Sequence, residues 1–330
     1  MTMTKIAKLS GCSLSTVSKA FKNSPEISEK TKEKIFKIAQ ENNCFAKYYS
    51  PVYKKRVFAV VCNELISSVY GVIVDTLNNK ITANGDTLLI SSCNFISANL
   101  EDLFDYYINF HKVDGLIIIG KLPSNIKIDI RHLARIPLVC IRSAKSKTSQ
   151  PCDCVETDHD PAIFSVIKYF QEMGHTKIGF IGEYLTSSIQ KSFIDSMKLH
   201  GLEIKEDWII CSSKRKGEAG VDGMERILAL PKKPTAIFAA YDAIAFGAIN
   251  KIQRSGLSVP KDFSLISSDN IPLSEYSSPS LTTIADPIDD IAEGAINLLY
   301  RRLKNNSAPF QRIQIQSELI LRDSVAKINA

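Results

Sequence analysis

The chain has 330 residues and a mass of 36.6 kDa, which predicts two or three structural units at roughly 100–200 residues each. Hydrophobic residues make up 45% and charged residues 23% of the sequence, a globular composition that excludes a wholly disordered or fibrous chain. No apolar run approaches the ~18–20 residues of a membrane span, and the N-terminus shows no apolar export core, so we expect a cytoplasmic protein without a membrane partner.

Charge is concentrated in the first 56 residues. They carry 12 Lys and Arg against 4 Glu and no Asp, a net charge of +8, whereas the whole chain has +6. The rest of the chain therefore carries −2. A basic segment on a slightly acidic body predicts that the segment binds a polyanion, with a merely solvated helical surface as the alternative.

The basic segment has the pattern of three short helices. The first is predicted over residues 5–10 and ends at Gly11, a residue that tolerates the left-handed turn of a helix stop. Ser13 is placed to cap a second helix over about 14–22, and Ser28 to cap a third over about 29–41. Two short helices joined by a tight turn that contains Gly, followed by a third, form the helix-turn-helix pattern.

The second helix has one apolar and one polar face, which is the arrangement that major-groove readers use. Its apolar residues are Val17, Ala20 and Phe21, and its polar face carries Ser15, Ser18, Lys19 and Lys22. We expect Ser15 and Lys19 to reach base edges, with Lys19 as the best candidate to donate to guanine. The residues placed to bind phosphate oxygens are Thr16, Ser18, Ser28 and Thr31. A small helical bundle without a ligand is the alternative.

The segment Ile6-Ala7-x-x-x-Gly11-x-Ser13-x-x-Thr16-Val17-Ser18-Lys19, followed by Ile27-Ser28-x-x-Thr31-Lys32-x-x-Ile35, resembles the head of the LacI/GalR (lactose/galactose repressor) family. The resemblance implies that Leu14, Ser15 and Lys19 read bases. Lys22 stands where many members have Asn, so its contact is expected to differ.

The hinge that follows departs from the family pattern. Many members carry an Ala-x-x-Leu helix whose Leu enters the minor groove, and here the matching stretch is Ser50-Pro51-Val52-Tyr53. If a hinge helix forms, Ser50 caps it, Pro51 takes its first position and Tyr53 is the wedge between base steps. The alternative is an unstructured basic linker that holds phosphates through Lys47, Lys54, Lys55 and Arg56.

The body shows short apolar runs separated by amphipathic stretches, which predicts an α/β fold with parallel sheets. The runs include residues 57–62, 88–90, 116–119, 138–141, 178–181, 209–211, 236–240 and 265–266, and the helices include 69–84, 161–173, 189–200 and 244–255.

The body continues the family resemblance nearly to the C-terminus, through Val113-Asp114-Gly115-Leu116-Ile117, Gly174-His175-x-x-Ile178, Pro234-Thr235-Ala236-Ile237-Phe238-Ala239, Asp242-x-x-Ala245-x-Gly247-Ala248 and Ser278-Pro279-Ser280. It implies a two-lobed core similar to periplasmic binding proteins. The expected organisation is a helix-turn-helix domain over 1–47, a hinge over 48–56 and an effector-binding core over 57–330, with chain crossings near 157, 285 and 317. One lobe would comprise about 57–157 and 286–317, and the other about 158–285 and 318–330.

Polar residues cluster at the ends of the predicted strands, where open α/β sheets bind ligands. They are Asn63, Arg142, Asp158, Tyr241, Asp242, Asp269, Asn270 and Asp286. Carboxylates and amides suit sugar hydroxyls, but Asp and Asn are also favoured in turns regardless of function. By the resemblance, Asp269 occupies an effector-contact position and Asp286 lies in the crossing beside it.

Three residues depart from the sugar-binding members of the family: Arg142 replaces a frequent Asp, Ile189 replaces an Arg that holds sugar hydroxyls, and Tyr241 replaces a common Asn. An Arg in the cleft favours an anionic ligand such as a phosphorylated sugar. Alternatively, Arg142 pairs with Asp158 or another carboxylate and binds no ligand, and we slightly favour this pairing.

Enzymatic and metal-binding patterns are weak. The five His show no metalloprotease spacing, and no Gly-x-Ser-x-Gly or phosphate-binding loop occurs. Cys152-x-Cys154 with His159 is a poor match to metal-site spacing, and Gly182-Glu183 has the pattern of a simple strand-end turn. The eight scattered Cys are expected to be buried free thiols. We therefore expect no catalytic residues, no metal and no cofactor.

The sequence thus predicts a DNA-binding transcriptional regulator, and the resemblance implies a repressor. A homodimer would present two heads to a near-palindromic double-stranded operator, with recognition helices about 34 Å apart, and a small sugar or sugar-phosphate effector would bind between the lobes. The alternative is a cytoplasmic sugar-binding protein or sugar-processing enzyme on the same core.

Overall fold

The computed structural model describes residues 1–48, 56–65, 68–110, 113–120, 136–145 and 152–328. The chain divides into two compact units. The first, here called the head, comprises Met1–Val57 with Asn84–Thr87, and the second, the body, comprises Phe58–Ala83 with Leu88–Ala330. Each unit is described by itself.

The head is a bundle of four short helices: α1 (Met3–Ser10), α2 (Leu14–Phe21), α3 (Glu29–Glu41) and α4 (Phe45–Tyr48). Side-chain oxygens of Thr2, Ser13 and Ser28 cap the first three helices, and Gly11 follows α1 with a φ of +64°. Because the cap is Thr2, α1 begins two residues before its predicted start. The other two helices lie where the sequence predicts them.

The core of the head explains why these helices stay together. Ile6, Val17, Phe21 and Ile35 are essentially inaccessible to solvent, and burial of each such side chain contributes about 1.5–3 kcal/mol. The unpredicted helix α4 closes this core, since the Tyr48 hydroxyl donates a 2.7 Å hydrogen bond to the carbonyl of Met1.

The body contains two six-stranded sheets. The first consists of β1 (Val57–Cys62), β2 (Thr87–Ser92), β3 (Gly115–Ile119), β4 (Leu138–Ser143), β5 (Asp153–Asp158) and β11 (Arg312–Gln316), in the order β11-β5-β4-β3-β1-β2. The pairs of β1 with β3, β3 with β4, β4 with β5 and β5 with β11 are parallel.

The second sheet consists of β6 (Ile178–Glu183), β7 (Ile209–Ser212), β8 (Ala236–Ala239), β9 (Ser264–Ser268), β10 (Thr282–Ala285) and β12 (Glu318–Ile320), in the order β12-β10-β9-β8-β6-β7. All its pairs are parallel except β10 with β12, which is antiparallel. Two largely parallel sheets confirm the predicted α/β fold class.

Helices cover both sheets: α5 (Ser68–Ala83), α6 (Ser97–Asp105), α7 (Asp160–Glu172), α8 (Ser187–Leu199), α9 (Lys216–Ala229), α10 (Asp242–Arg254), α11 (Leu273–Tyr276) and α12 (Ile288–Lys304). A π-helical turn, Tyr106–Phe110, follows α6. None of the helices in the described part of the chain is long and apolar enough to span a bilayer.

Each sheet has its own apolar core, and we call each sheet with its covering helices a lobe. Phe58, Val139 and Leu299 belong to the core of the first lobe, and the second lobe contains Phe180 and Phe238. The chain passes between the lobes after Asp158, after Ala285 and at Ser317.

Candidate nucleic-acid interface and ligand cleft

Helix α2 presents a polar surface to solvent and its apolar side to the head core. Val17, Ala20 and Phe21 are buried. Eight of the nine sequence-predicted DNA-binding residues lie in the described part of the chain and remain accessible: Leu14, Ser15, Lys19, Lys22 and Ser28 are exposed, and Thr16, Ser18 and Thr31 are half-buried. A narrow helix with this exposed face can enter a major groove.

The N-termini of α2 and α3 are capped in the same way. The Ser13 hydroxyl accepts a 3.0 Å hydrogen bond from the amide of Thr16, and Ser28 accepts one of 3.3 Å from Thr31. Unpaired amides and the helix dipole at each N-terminus favour an anion there. The placement of these four residues therefore suits phosphate oxygens.

Lys19 is paired within the head. Its ammonium group forms an ion pair with Glu26, and the two side chains are 46% and 65% exposed. An exposed pair of this kind contributes only about 0–1 kcal/mol. Lys19 is consequently free to exchange Glu26 for a base edge at little cost.

Tyr53, the predicted wedge residue, lies outside the described residues.

A cavity of about 280 Å³ lies between the two lobes. Its lining combines residues of α5 and α12 in the first lobe with residues around α11 in the second: Val69, Val72, Asp269, Asn270, Ile271, Pro272, Glu275, Tyr276, Asp286, Ile288 and Arg322. Two predicted effector residues, Asp269 and Asp286, thus meet at one site, and Asn270 lies beside them. Its mixed polar and apolar lining suits a small polar molecule.

Asp269 has the side chain with the most unusual environment in this cavity. Its backbone has a φ of +106°, a conformation that costs a non-glycine residue free energy. Burial raises the pKa of its carboxyl well above the usual range, and the charges of Asp242 and Asp286 raise it further. A carboxyl in this state can donate or accept a hydrogen bond to a ligand hydroxyl.

Asp242, which the sequence predicts as a ligand residue, lies outside the lining of the cavity. Its carboxylate is fully buried and accepts hydrogen bonds from the hydroxyls of Ser267, Ser274 and Thr283 and from the amide of Ile271. These bonds tie α10 to β9, α11 and β10. The role of Asp242 is to join elements of the second lobe.

Arg142 is also engaged by the protein itself, as the pairing hypothesis predicts. Its guanidinium donates hydrogen bonds of 3.1 and 2.6 Å to Glu156, the neighbouring residue on β5. Asp158 instead accepts a hydrogen bond of 2.8 Å from Gln314 and one from the amide of Asp160. With its charge neutralised, Arg142 gives no support to a phosphorylated ligand.

The three chain crossings meet at one hydrogen-bonded group. His159 Nε2 lies 3.0 Å from Asp286 Oδ1, and the Ser317 hydroxyl donates to the same oxygen. Burial lowers the pKa of His159, but the bond to Asp286 and the charges of Asp286, Asp158 and Asp160 outweigh it, so the pKa is raised. The pKa of Asp286 is lowered, because His159 and Ser317 outweigh its burial.

This arrangement predicts a pH-dependent contribution to stability. A raised pKa means that folding favours protonated His159, so its contribution is complete below pH ~6.5 and is lost as pH rises through the folded-state pKa. Folding favours the ionised form of Asp286, so its contribution to stability is complete above pH ~3.9 and is lost as the pH falls through the lowered folded-state pKa. We expect His159→Gln to lower the free energy of unfolding by about 1.5 kcal/mol at pH 6 and by less at pH 8.5.

Urea unfolding of the wild type and His159→Gln at both pH values measures this difference. The matched control is the same substitution in an Asp286→Asn background, where the hydrogen-bonded partner charge is absent and the difference between the two pH values should become smaller. An equal loss of stability at the two pH values would contradict the proposed pairing.

An ion-pair group bridges the lobes at a place the sequence did not single out. Arg215, just before α9, donates from Nη1 and Nη2 to both carboxylate oxygens of Glu64, at 3.1 and 3.0 Å. Its Nε donates to Glu183 at 3.2 Å. The sequence pattern of Gly182-Glu183 predicts a simple strand-end turn, whereas Glu183 is the buried last residue of β6.

Tyr241 and Asn63, two predicted ligand residues, lie near this group. The Tyr241 hydroxyl accepts a 3.2 Å hydrogen bond from the amide of Lys216, and burial followed by the charge of Glu183 raises its pKa. Burial also raises the pKa of Tyr70, and the charges of Asp269 and Glu64 raise it further. A hydrogen bond with the side chain of Asn63 acts in the opposite direction. The charges at the ion-pair group and at the cavity thus both act on the Tyr70 hydroxyl.

The cysteines are all free thiols, as the sequence predicts. Six are buried, but Cys211 is exposed and Cys12 is half-buried, which corrects the expectation that all are buried. Cys152 and Cys154 lie beside Cys140, with the sulfur atoms of Cys140 and Cys152 3.4 Å apart. His159 faces Asp286 instead, and the described residues contain no group arranged to hold a metal ion.

Comparison with known proteins gives two family matches. Residues 2–45 match the model described as bacterial regulatory proteins, lacI family, and residues 167–325 match the periplasmic binding protein-like domain. The chain is 30% identical over 340 residues to the probable HTH-type transcriptional repressor ExuR of Bacillus subtilis, covering 99% of each chain.

Solved structures support the fold. A transcriptional regulator of Silicibacter pomeroyi aligns with a TM-score of 0.77 at 19% identity over 99% of both chains. A regulator of Enterococcus faecium with bound ribose aligns with a TM-score of 0.71 at 21% identity, over 83% of this chain and 100% of that one. At these identities the likeness concerns the fold alone.

Proposed function

Because this chain belongs to the lacI family of bacterial regulatory proteins, we propose that it is a repressor that binds a near-palindromic operator as a homodimer, in the cytoplasm, and responds to a small carbohydrate. Membership of the family makes the chain a DNA-binding transcriptional regulator with a ligand-binding core, and not an enzyme. The operator symmetry, the dimer, the location and the carbohydrate are the parts that we propose.

The observation that carries the DNA-binding part is the exposed face of α2. Leu14, Ser15 and Lys19 project from a helix whose opposite side is locked into the head core. A rigid scaffold of this kind fixes the direction of the reading side chains, while the capped N-termini of α2 and α3 supply phosphate contacts. Two such heads in a homodimer would read two half-sites one helical turn apart.

The Lys19→Ala variant tests the reading role. For a duplex with one half-site G·C pair changed and for the selected operator, we expect the ratio of the first dissociation constant to the second to fall in this variant, by the equivalent of about 1–3 kcal/mol of lost discrimination. Fluorescence anisotropy with labelled duplexes measures this ratio.

The matched control for Lys19 is Lys37→Ala, which removes the same charge from an exposed position on α3. Any weakening should be equal for both duplexes, because the removal of a charge away from the base-reading face changes only the sequence-independent attraction to DNA. Unchanged discrimination by Lys19→Ala would assign the reading role to another residue of α2.

The carbohydrate part rests on the cavity between the lobes. Asp269, Asn270 and Asp286 supply hydrogen-bonding groups there, and the structurally similar Enterococcus faecium regulator holds ribose. A ligand that binds one arrangement of the lobes more tightly shifts the equilibrium between the two arrangements. Such a shift typically couples ligand binding to operator binding by ~1–3 kcal/mol. Operator binding titrated with and without a panel of sugars measures this coupling.

A further inference from the structure

Building on the proposed carbohydrate response, we propose that the effector is a sugar acid, and that Arg215 binds its carboxylate at the place now occupied by the carboxylate of Glu64. Glu64 follows β1 in the first lobe, and Arg215 precedes α9 in the second. The contact between them therefore crosses the cleft.

Arg215 is held in position by its own lobe. Its Nε donates to Glu183 at 3.2 Å, and the side chain of Glu183 is only 1% exposed. The amide of Lys216 donates to the second oxygen of Glu183 at 3.1 Å. These bonds leave Nη1 and Nη2 directed at the first lobe, so the guanidinium fork is organised before any ligand arrives.

The fork already binds a carboxylate. Both oxygens of Glu64 accept from it, at 3.0 and 3.1 Å, which is the bidentate geometry that guanidinium and carboxylate groups favour. Glu64 comes from the opposite lobe, so separation of the lobes removes it from Arg215. A ligand carboxylate that enters the cleft can then form the same two hydrogen bonds.

The charges around Arg215 favour a single negative charge. With Glu64 withdrawn, the second lobe presents Arg215 and Lys216 against Glu183, a net charge of +1. A carboxylate restores neutrality, whereas a phosphate monoester brings a charge of about −1.5 to −2. The excess negative charge would face the buried carboxylate of Glu183, which makes phosphate the weaker ligand.

The rest of the cleft provides groups for hydroxyls. The Tyr70 hydroxyl lies beside the side chain of Asn63, which precedes Glu64, and Val69 at the start of the same helix lines the cavity. Asp269 and Asn270 line the cavity as well. A molecule that carries one carboxylate and several hydroxyls matches this combination of a guanidinium with hydroxyl, amide and carboxyl groups.

Calorimetric titration of the full chain tests the ligand class. The probes are glucose, glucuronate and glucose 6-phosphate, which differ at one carbon, the corresponding galactose and mannose series, and gluconate. We expect at least one sugar acid to bind about 10-fold or more tightly than its neutral and phosphorylated counterparts. Tighter binding of a neutral sugar or a sugar phosphate, or no binding of any sugar acid, would overturn the proposal.

Variants at the ion pair test the position of the carboxylate. Arg215→Gln should weaken binding of the acid by about 10- to 100-fold, and Arg215→Lys, which keeps the charge but loses the fork, by less. Glu64→Gln should bind the acid more tightly, because the internal competitor has lost its charge. The control is Lys214→Gln, the exposed cation next in the chain, which should leave acid binding unchanged.

Two outcomes separate this proposal from the proposed function. If a neutral sugar binds and releases the operator, the sugar-acid assignment is wrong and the regulator remains. If a sugar acid binds through Arg215 but leaves operator affinity unchanged, the ligand class is right and the proposed response is wrong. Equal loss of acid binding in Arg215→Gln and Lys214→Gln would contradict the role of the guanidinium fork.

Discussion

The Gly247→Ala variant is expected to lose about 3 kcal/mol or more of folding free energy. Gly247 lies in α10 where this helix crosses α9, and an added Cβ would stand 1.9 Å from the carbonyl oxygen of Gly217. The close approach is reciprocal, since a Cβ on Gly220 would stand 1.9 Å from the carbonyl oxygen of Ile244. Both obstacles are backbone atoms, so no side-chain rotation relieves the clash.

The consequence for the ligand cleft follows from the same contact. Arg215 directly precedes α9, so helices forced apart would also move the guanidinium that bridges the lobes. Urea unfolding monitored by circular dichroism measures the loss of stability. The control is Gly71→Ala in α5, where the nearest atom to a new Cβ is 3.8 Å away, and where alanine should stabilise the helix by roughly 0.5–1 kcal/mol. Equal stability of both variants would contradict the described helix contact.

The second large effect is expected at Asp242. Asp242→Ala removes the acceptor for three hydroxyls and one amide, and each buried donor left without a partner costs about 1–3 kcal/mol. Hydroxyls that find other acceptors reduce the total, so we expect a loss of about 3–5 kcal/mol. Thermal and urea unfolding measure it.

This variant also separates a structural role from a ligand-binding role. Asp195→Ala in α8 is the control, since Asp195 is an exposed carboxylate on the same lobe and its loss should change stability by less than about 0.5 kcal/mol. If Asp242→Ala is as stable as the wild type and fails only to bind ligand, Asp242 belongs to the ligand site after all.

The head was predictable because its determinants are local. Ser13 and Ser28 cap helices that start on the next residue, and the spacing of Val17, Ala20 and Phe21 places one face inward. Capping and helical periodicity act within one or two turns, so the sequence displays them directly.

Four strands lay outside the predicted runs because they are either rich in polar residues or short. Strand β5 reads DCVETD yet is almost entirely buried, because Arg302 and the amide of Gln311 satisfy Asp153. Strand β11 alternates in polarity at the sheet edge, and β10 and β12 are short. Their pairing partners are distant in sequence, so only the assembled sheet accounts for them.

The ligand site was predictable in part. Strand ends drew attention to Asp269 and Asp286, and both residues line the cavity between the lobes. Its position at a strand end also made Asp242 a candidate ligand residue. The neighbouring sequence gives no sign that the hydroxyls of Ser267, Ser274 and Thr283 surround its carboxylate. Glu183 and Arg215 were missed for the opposite reason, since their significance depends on Glu64, which lies more than a hundred residues earlier in the chain.

The most direct test of the account is selection of duplexes from a random double-stranded pool by the full 330-residue chain, followed by affinity measurement over a range of salt concentrations. The account predicts enrichment of a two-fold symmetric sequence with half-sites about one helical turn apart, bound with an affinity that falls as salt rises. Recovery of unenriched sequences, with no salt-dependent retention of any duplex, would contradict it.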